Sequence, residues 1–255
     1  MKYIFSGAAA LQPRLARVFT AAQMPVFEGY GLSETSPVIS VNTPEPGGKY
    51  YGTVGKVMAG VEVKFGDDGE ILCKGHNVMM GYYNKPELTA EVIDKDGWFH
   101  TGDIGKMVEG VYLKITDRKK EIFKTSGGKY IAPQVMENKF KESRLIEQIM
   151  VLGEGEKMPG AFIVPDFQAL RVWCELHQID YTTDAQMTEH PDVLKKYDEE
   201  VSHYNEQFAP YEQVKKFVLM KEAWSVDGGE LTATMKLKRK PVLSKYDQKY
   251  KEIYS

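Results

Sequence analysis

The chain has 255 residues, of which 42% are hydrophobic and 27% are charged, and its formal net charge is −3. This composition suits one large globular domain or two smaller ones, and the slightly negative charge excludes a general attraction to nucleic acid or to anionic membranes. No apolar run approaches the roughly 20 residues that a transmembrane helix needs, and two distant cysteines without a metal-binding spacing predict a reduced, cytoplasmic protein.

The N-terminal segment is predicted to alternate strand, helix and strand. Apolar residues at 2–6 favour a short strand, and Pro13 begins an amphipathic helix over 13–22. A second buried strand starts at Pro25 and ends in the turn Glu28–Gly31. This order predicts the end of an α/β layer.

The middle of the chain, 38–117, has mainly β character. The alternating segments 61–65 and 70–74 flank Asp67-Asp68-Gly69, which is a strong hairpin signal. The pattern also predicts two further strands and one helix, at 103–108, 111–116 and 86–93. Short strands and frequent glycines together predict a small β-barrel or bent sheet.

The remainder, 118–255, has a mixed pattern. It predicts four helices, at 133–143, 167–177, 191–206 and 244–253. It also predicts three strands, at 146–152, 160–165 and 213–219. In the third helix, apolar residues recur on one face at Val193, Tyr197, Val201 and Tyr204. We therefore expect a separate α+β domain and divide the chain into 1–117 and 118–255.

The turn Tyr30–Thr35 (YGLSET) is the first segment whose residues suit a chemical role. Its aromatic ring can stack on a purine, and the carboxylate of Glu34 can hold Mg²⁺ beside phosphates. The alternative is a plain turn in which Ser33 or Thr35 caps a helix. These residues alone leave both interpretations open.

Two further segments combine glycine turns with polar side chains. In Gly97–Asp103 (GWFHTGD), Asp103 can accept hydrogen bonds from two neighbouring ribose hydroxyls or close an ordinary Asx turn. The segment 117–129 leads from a charged stretch into a predicted strand and then into a loop with Gly127 and Gly128. It does not fit the phosphate-loop pattern G-x-x-x-x-G-K-[ST], but its glycines permit close approach of an extended ligand.

A basic run, Lys236–Lys240, follows the polar turn 231–235. Such a run is compatible with a nucleic-acid or localisation signal, with a solvated tail, or with one lysine that faces a charged reaction centre. The net charge of the chain disfavours nucleic acid.

Taken together, these segments resemble the adenylate-forming enzymes, which include acyl-CoA synthetases, luciferases and peptide-synthetase adenylation domains. The resemblance covers nearly the whole chain and rests on Glu28–Thr35, Gly75–Tyr83, Trp98–Asp103, Asp117–Lys120 and Lys236. Within that family, three stretches look most like the long-chain fatty acid–CoA ligases: 117–133 (DRKKEIFKTSGGKYIAP), 190–217 and 231–239 (LTATMKLKR).

The resemblance implies a fold and a reaction. The fold is the end of a large α/β N-terminal domain with a small β-barrel subdomain, followed by a small mobile α+β domain. In the reaction, a fatty acid attacks the α-phosphorus of ATP to give acyl-AMP and pyrophosphate, and coenzyme A then displaces AMP. ATP, Mg²⁺ and coenzyme A are therefore expected and nucleic acid is not, whereas peripheral membrane contact and oligomer formation stay open.

The resemblance also implies roles for individual residues. Lys236 bridges the substrate carboxylate and the α-phosphate, and Glu34 holds Mg²⁺. Lys120 is the hinge of the mobile domain, and Gly127 and Gly128 line the channel for the pantetheine arm of coenzyme A. The implied nucleotide-binding residues are Gly7, Ala8, Glu28, Gly29, Tyr30, Gly31, Ser33, Asp103 and Arg118, with Tyr30 on adenine, Asp103 on the ribose and Arg118 on the ribose or phosphate side.

The chain departs from the family pattern in the sequence of two loops and in how much of the family's length it contains. Ser6–Ala9 stands where the family has Gly-Gly-Ala-Pro, and Ala233 where it often has Pro. The family's Ser/Thr/Gly-rich phosphate loop and most of its acyl tunnel lie upstream of what this chain contains. We therefore expect a C-terminal fragment, through natural truncation, a misassigned start or an artificial boundary, that is inactive alone. The alternatives are a relative that passes acyl-AMP to a carrier protein or oxidises it, and a fragment that only binds nucleotide or a partner.

Overall fold

The computed structural model describes residues 3–9 and 11–255 and divides the chain into two compact units, Met1–Lys120 and Glu121–Ser255. The division follows residue 120, whereas the sequence pattern places it after residue 117. It falls in a charged turn directly after a strand. In the described part of the chain, no helix is long and apolar enough to cross a membrane.

The first unit begins with a small mixed sheet. Its strands, in sheet order, are β1 (Ile4–Ser6), β2 (Val26–Tyr30), β3 (Ser40–Val41) and β4 (Lys56–Val57). β1 and β2 are parallel, the other neighbours are antiparallel, and helix α1 (Pro13–Ala21) joins β1 to β2. The predicted strand–helix–strand order is therefore confirmed, although Lys2 of the first predicted strand lies outside the described residues. Proline suits the start of α1 because an N–H there would have no helical partner.

A curled antiparallel sheet completes the first unit and forms half a barrel. It consists of β5 (Val61–Phe65), β6 (Glu70–Gly75), β7 (Phe99–Val108) and β8 (Tyr112–Arg118), with helix α2 (Pro86–Val92) between β6 and β7. The β5–β6 hairpin is the predicted one, and Gly69 in its turn has a φ of +81°, which favours glycine. Bulges at Glu70/Leu72 and Ile104/Gly105 bend the sheet.

The second unit combines a hairpin, a three-stranded sheet and six helices among its residues, all of which are described. The strands are β9 (Phe123–Lys124), β10 (Tyr130–Ile131), β11 (Ile146–Leu152), β12 (Gly160–Pro165) and β13 (Lys216–Leu219). The helices are α3 (Pro133–Phe140), α4 (Phe167–Leu176), α5 (Asp184–Met187), α6 (Pro191–Asn205), α7 (Arg239–Lys245) and α8 (Asp247–Tyr254). β12 lies in the middle of its sheet, antiparallel to β11 and parallel to β13.

The core of the second unit lies between this sheet and its helices. Every residue of β12 is buried. The predicted apolar stripe of α6 is confirmed, because Val193, Tyr197 and Val201 are buried and Tyr204 packs against them at the edge of the core. The Tyr197 hydroxyl keeps a partner in this apolar setting, since it donates to the carbonyl of Leu145 at 2.6 Å.

The mixed α/β and α+β fold class is confirmed, while some predicted boundaries are wrong. The helix predicted at 244–253 is two helices, because α7 already begins at Arg239 and the chain breaks at Tyr246 before α8. The strand predicted from 213 begins at Lys216, and the one predicted from 103 begins at Phe99. The strand predicted before the Gly127-Gly128 loop is present as β9, whereas β3, β4, β10 and α5 were not predicted, because they are too short to show a period.

Candidate nucleotide site and lysine turn

A buried carboxylate in the middle of β7 joins the ends of β2 and β8 in the first unit. Asp103 on β7 accepts a hydrogen bond from the Tyr30 hydroxyl at 2.7 Å and another from Arg118 Nε at 2.9 Å. The Asp103 side chain is 7% exposed and that of Arg118 is 53% exposed, so the guanidinium stays within reach of a ligand. Burial and the negative charge of Asp103 raise the pKa of Tyr30, which keeps its hydroxyl a donor.

The backbone around Asp103 is held by its neighbours. The Thr101 hydroxyl donates to the carbonyl of Ile71 at 2.7 Å and accepts from the amide of Asp103 at 3.1 Å. Gly102, with a φ of +70°, lets the strand bulge at this point. Since each carboxylate oxygen has two acceptor sites, Asp103 keeps acceptor capacity beyond its two protein partners.

Glu34 lies in a short 3-10 turn, Ser33–Thr35, that follows β2. Its Oε1 accepts from the Tyr82 hydroxyl at 2.9 Å, and its carbonyl accepts from the amide of Met79 at 2.8 Å. The hydrogen bond to Glu34 raises the pKa of Tyr82. Of the two candidate capping residues, Ser33 is exposed, and Thr35 holds the turn through both backbone groups of Leu32.

The donor set suits Mg²⁺ rather than a metal held wholly by protein. In residues 3–9 and 11–255, no group of three or more His, Cys, Asp or Glu side chains could hold a metal ion. A single half-buried carboxylate, already oriented by Tyr82, fits an ion that keeps several waters and binds chiefly through substrate phosphates.

The other implied nucleotide residues cluster where β1 and β2 end. Gly7 lies beside Gly29, since a Cβ on Gly7 would be 3.7 Å from the Gly29 carbonyl oxygen. Ala8 is exposed and has a φ of +66°. Glu28 is 8% exposed and accepts from the amide of Leu11 at 3.2 Å. Burial raises the pKa of Glu28, against the smaller opposing effect of that hydrogen bond.

A second buried carboxylate near Asp103 was missed by the sequence analysis. Glu70, 4% exposed, accepts from Lys119 Nζ at 2.8 Å and from the amide of Gly102 at 3.0 Å, and its Oε2 lies 3.1 Å from His100 Nδ1. Burial alone raises the pKa of Glu70, but the bonds from Lys119, His100 and Gly102 outweigh burial and lower it. A Glu placed after the hairpin turn Asp68-Gly69 carries no sequence signal for this role.

In the second unit, Lys236 lies at the end of a tight turn. The Thr232 amide donates to the Lys236 carbonyl at 2.8 Å, and the Lys236 amide donates to Thr232 Oγ1 at 3.0 Å. A β-bridge between Leu231 and Leu237 closes the base of the turn. Lys236 is exposed, and none of the ion pairs found among the described residues involves it. The ammonium group is thus available to an anionic ligand.

The remaining two implied features lie near the start of the second unit. Lys120 is exposed and is the last residue before the division between the units. Gly127 and Gly128 lie in the exposed β9–β10 loop, which Thr125 closes through hydrogen bonds with the backbone of Lys129. A φ of +78° at Gly128 favours glycine there.

Comparisons with known proteins show a family along nearly the whole chain. The family model "AMP-binding enzyme" matches residues 1–83, and "AMP-binding enzyme C-terminal domain" matches residues 120–255. A long-chain-fatty-acid–CoA ligase from Mycobacterium bovis is 37% identical over 251 residues, which are 98% of this chain and 41% of the relative. The human long-chain-fatty-acid–CoA ligase 1 is 34% identical over 270 aligned residues, covering 100% of this chain and 38% of the relative. The chain therefore spans about two fifths of the length of these curated relatives.

Solved structures share the fold. The adenylation domain of a carboxylate reductase from Mycobacterium chelonae aligns with a TM-score of 0.76 and 23% identity, covering 98% of this chain and 38% of that one. The corresponding domain from Segniliparus rugosus, in complex with AMP and a co-purified carboxylic acid, aligns with a TM-score of 0.72 and 25% identity over 98% of this chain and 38% of that one. By its family models and its similarity to fatty-acid–CoA ligases, this chain belongs to the AMP-binding enzyme family.

Proposed function

We propose that this chain is the C-terminal part of an AMP-forming long-chain fatty acid–CoA ligase. The protein that contains it joins a fatty acid to AMP with release of pyrophosphate and then transfers the acyl group to coenzyme A, releasing AMP. The observation that carries the proposal is the 37% identity to a long-chain ligase along 98% of the chain.

The first half-reaction brings two anions together, so positive charge at the reacting centre is its main requirement. Lys236 supplies that charge between the fatty carboxylate and the α-phosphate. Its exposure and its lack of a carboxylate partner among the described residues support this role, because an internal counter-ion would cancel part of its field. A lysine suits the task as a compact charge on a flexible stem.

The first unit supplies the nucleotide contacts. Asp103 accepts from the ribose hydroxyls, Arg118 donates to the ribose or phosphate side, and Tyr30 lies against adenine. The network supports the first two roles, because the bond to Tyr30 and the pair with Arg118 orient the Asp103 carboxylate before any ligand arrives. The residue Tyr30 is 9% exposed, so the proposed contact with adenine involves only a small part of its surface.

The metal is assigned to Glu34. When bound there, Mg²⁺ supplies charge that stabilises the departing pyrophosphate. The chain's own contribution is to hold the Glu34 carboxylate in place through Tyr82.

The second half-reaction needs the thiol of coenzyme A to reach the same carbonyl that Lys236 faces in the first. We propose that the second unit rotates about Lys120 between the two steps, after which Gly127 and Gly128 line the path of the pantetheine arm. The position of Lys120, exposed and at the division between two compact units, supports a hinge there.

The test uses the full-length protein that contains this chain. Fatty-acid-dependent exchange of pyrophosphate into ATP measures the first half-reaction, and acyl-CoA formation from supplied acyl-AMP measures the second. Offering a carrier protein in place of coenzyme A distinguishes a ligase from a relative that loads a carrier. Exchange that does not depend on fatty acid would refute the proposal.

For the 255 residues alone we propose no ligase activity, because they contain no Ser/Thr/Gly-rich phosphate loop of the family type. Pyrophosphate exchange by this chain is expected at background, and turnover above background would overturn that proposal. We also propose a cytoplasmic location, which the unpaired, buried Cys73 and Cys174 support. Fractionation of cells that produce the full-length protein tests the location.

A further inference from the structure

The Lys236 turn is exposed, but the chain directly after it is anchored in the interior. Arg239, three residues beyond Lys236 and the first residue of α7, is 16% exposed in its side chain. Its Nη1 donates to Glu137 Oε1 on α3 at 2.5 Å, and the Glu137 side chain is 9% exposed. An arginine in a basic run is thus part of the interior, whereas the sequence pattern suggested a surface cluster.

The Arg239–Glu137 pair also closes an open strand edge. β11 is at the edge of its sheet, and Val151 faces Ala161 of β12 on one side only. On the other side, the Val151 amide donates to Glu137 Oε1 at 2.8 Å, and its carbonyl accepts from Arg239 Nη2. The ion pair therefore satisfies both the backbone amide and the backbone carbonyl of the buried Val151. Loss of the Glu137 side chain would leave the amide without this partner, and loss of the Arg239 side chain would leave the carbonyl without it.

The other end of the lysine turn is anchored by a second carboxylate. Glu230 is 3% exposed, and its Oε1 accepts from Lys245 Nζ and from the Tyr246 hydroxyl. Its carbonyl accepts from the amide of Lys238 at 2.8 Å. The segment from 230 to 239 is therefore bound to the interior at both ends, and the turn between them projects.

We propose that Glu137 and Arg239 are positioning residues for Lys236, so that the ion pair fixes the direction in which the lysine turn presents its ammonium group. The inference rests on the proposed role of Lys236 in acyl-adenylate formation. A buried ion pair adds little net stability compared with a well-packed apolar pair, and its best-attested benefit is to define one geometry. A charged group that acts on a reacting centre has to be held in one position, since a misplacement of about 1 Å weakens catalysis strongly.

The first test measures the turn itself, in the 255-residue chain, by amide hydrogen–deuterium exchange. Glu137→Gln keeps an acceptor for the Val151 amide and removes the negative charge. Arg239→Lys keeps the positive charge and removes the guanidinium group, which contacts Glu137 and Val151 through two nitrogens. Both should raise the exchange rate of the Lys236 and Lys238 amides by about tenfold, because charge-assisted hydrogen bonds near the base are lost. Exchange in β12 should stay at the wild-type rate, which shows that the unit is folded.

Arg171→Met is the matched control. Arg171 pairs with Asp184 at 2.6 Å elsewhere in the second unit, so the variant also loses an arginine–carboxylate pair. It should leave exchange in the lysine turn unchanged. If Glu137→Gln and Arg239→Lys also leave it unchanged, the ion pair does not hold the turn and the inference is overturned, whatever the enzyme does.

The second test uses half-reactions of the full-length protein. Arg239→Lys and Glu137→Gln should lower kcat for adenylation about tenfold with little change in KM for ATP, and should leave thioester formation from supplied acyl-AMP within about twofold. In a Lys236→Ala background the same changes should add less than about twofold, because there is no ammonium left to place. Equal losses in both backgrounds would mean a merely structural role and would overturn the inference.

The two tests separate this inference from the proposed function. Full adenylation by Lys236→Ala would refute the proposed role of Lys236, and with it the purpose assigned to the ion pair. Loss of adenylation in Lys236→Ala together with normal adenylation in Arg239→Lys and Glu137→Gln would overturn the positioning inference alone.

Discussion

Replacing Gly31 by alanine should distort the turn that carries Glu34. A Cβ on Gly31 would lie 1.6 Å from the carbonyl oxygen of Pro37, 2.6 Å from its carbonyl carbon and 2.8 Å from Cα of Val38. All three are backbone atoms, so no side-chain rotation relieves the clash. The backbone at 37–38 has to retreat, and the 3-10 turn between it and Gly31 moves with it.

The size of the effect follows from that geometry. Overpacking usually costs about 1–3 kcal/mol, and a clash with three backbone atoms belongs at the upper end, so we expect about 3 kcal/mol. For a unit of this size, each kcal/mol of lost stability lowers the unfolding midpoint by roughly 4 °C. The unfolding midpoint of the first unit should therefore fall by about 12 °C. Thermal unfolding of the 255-residue chain, measured by calorimetry, gives this number directly.

Gly29→Ala provides a control two residues away. Its Cβ would meet the nearest atoms, Val41 Cγ2 and the Ser40 carbonyl oxygen, at 3.5 and 3.6 Å, which is ordinary van der Waals contact. We expect a change within about 1 kcal/mol, or about 4 °C. If Gly31→Ala unfolds at the same temperature as Gly29→Ala, the close approach of Gly31 to Pro37 does not constrain this turn and the reasoning is wrong.

In the full-length protein, Lys236→Ala should reduce adenylation to a small residual rate and spare thioester formation from supplied acyl-AMP, with Lys240→Ala as a near-neutral control. Equal loss of both half-reactions would contradict the assignment. Lys120→Pro should block the second half-reaction preferentially, because proline fixes φ where the chain has to bend; an unchanged ratio of the two rates would argue against the hinge. Glu28→Gln should raise the melting temperature of the 255-residue chain at pH 7, because burial raises the pKa of Glu28 and its charged form opposes folding above that pKa. The gain should vanish as the pH falls below the ordinary carboxyl pKa, where Glu28 is protonated in both states, and a gain independent of pH would show that charge is not the cause.

Segments with long regular patterns were predictable because the pattern itself reflects burial. Helix α6 follows its apolar stripe, and the β5–β6 hairpin follows its alternation around an Asp-Asp-Gly turn. The short strands β3, β4, β9 and β10 have two residues each and no period. β3 and β4 pair with partners at least 10 residues away, which a local pattern does not contain, and β9 and β10 form a hairpin too short to show alternation.

The nucleotide residues were predictable from motif order, but their contacts were not. Tyr30 and Asp103 were assigned separate roles on adenine and ribose, and the structure joins them by a hydrogen bond across 73 residues of sequence. Such a pair forms only when β2 and the curled sheet come together. The roles themselves stay predictions until a nucleotide complex or the half-reaction assays test them.

The basic run near the C-terminus shows most clearly where local reasoning ends. Its residues look equivalent by charge, yet Arg239 is paired with a carboxylate 102 residues away while Lys236 is exposed. The distinction follows from partners on α3 and β11, and no spacing within 236–240 signals it.

This contrast has a physical logic that extends to both units. Lys119 in the first unit and Arg239 in the second each contact a largely buried carboxylate, and these pairs hold strands and helices at fixed relative positions. A cation that is engaged in this way cannot also stabilise transient charge on a substrate without losing its partner, which leaves a buried charge unpaired at a cost of several kcal/mol. The cation that serves a changing set of anions should therefore be one without an internal counter-ion. Lys236 meets that condition among the described residues, and the neighbouring Arg239 carries the structural ion pair in its place.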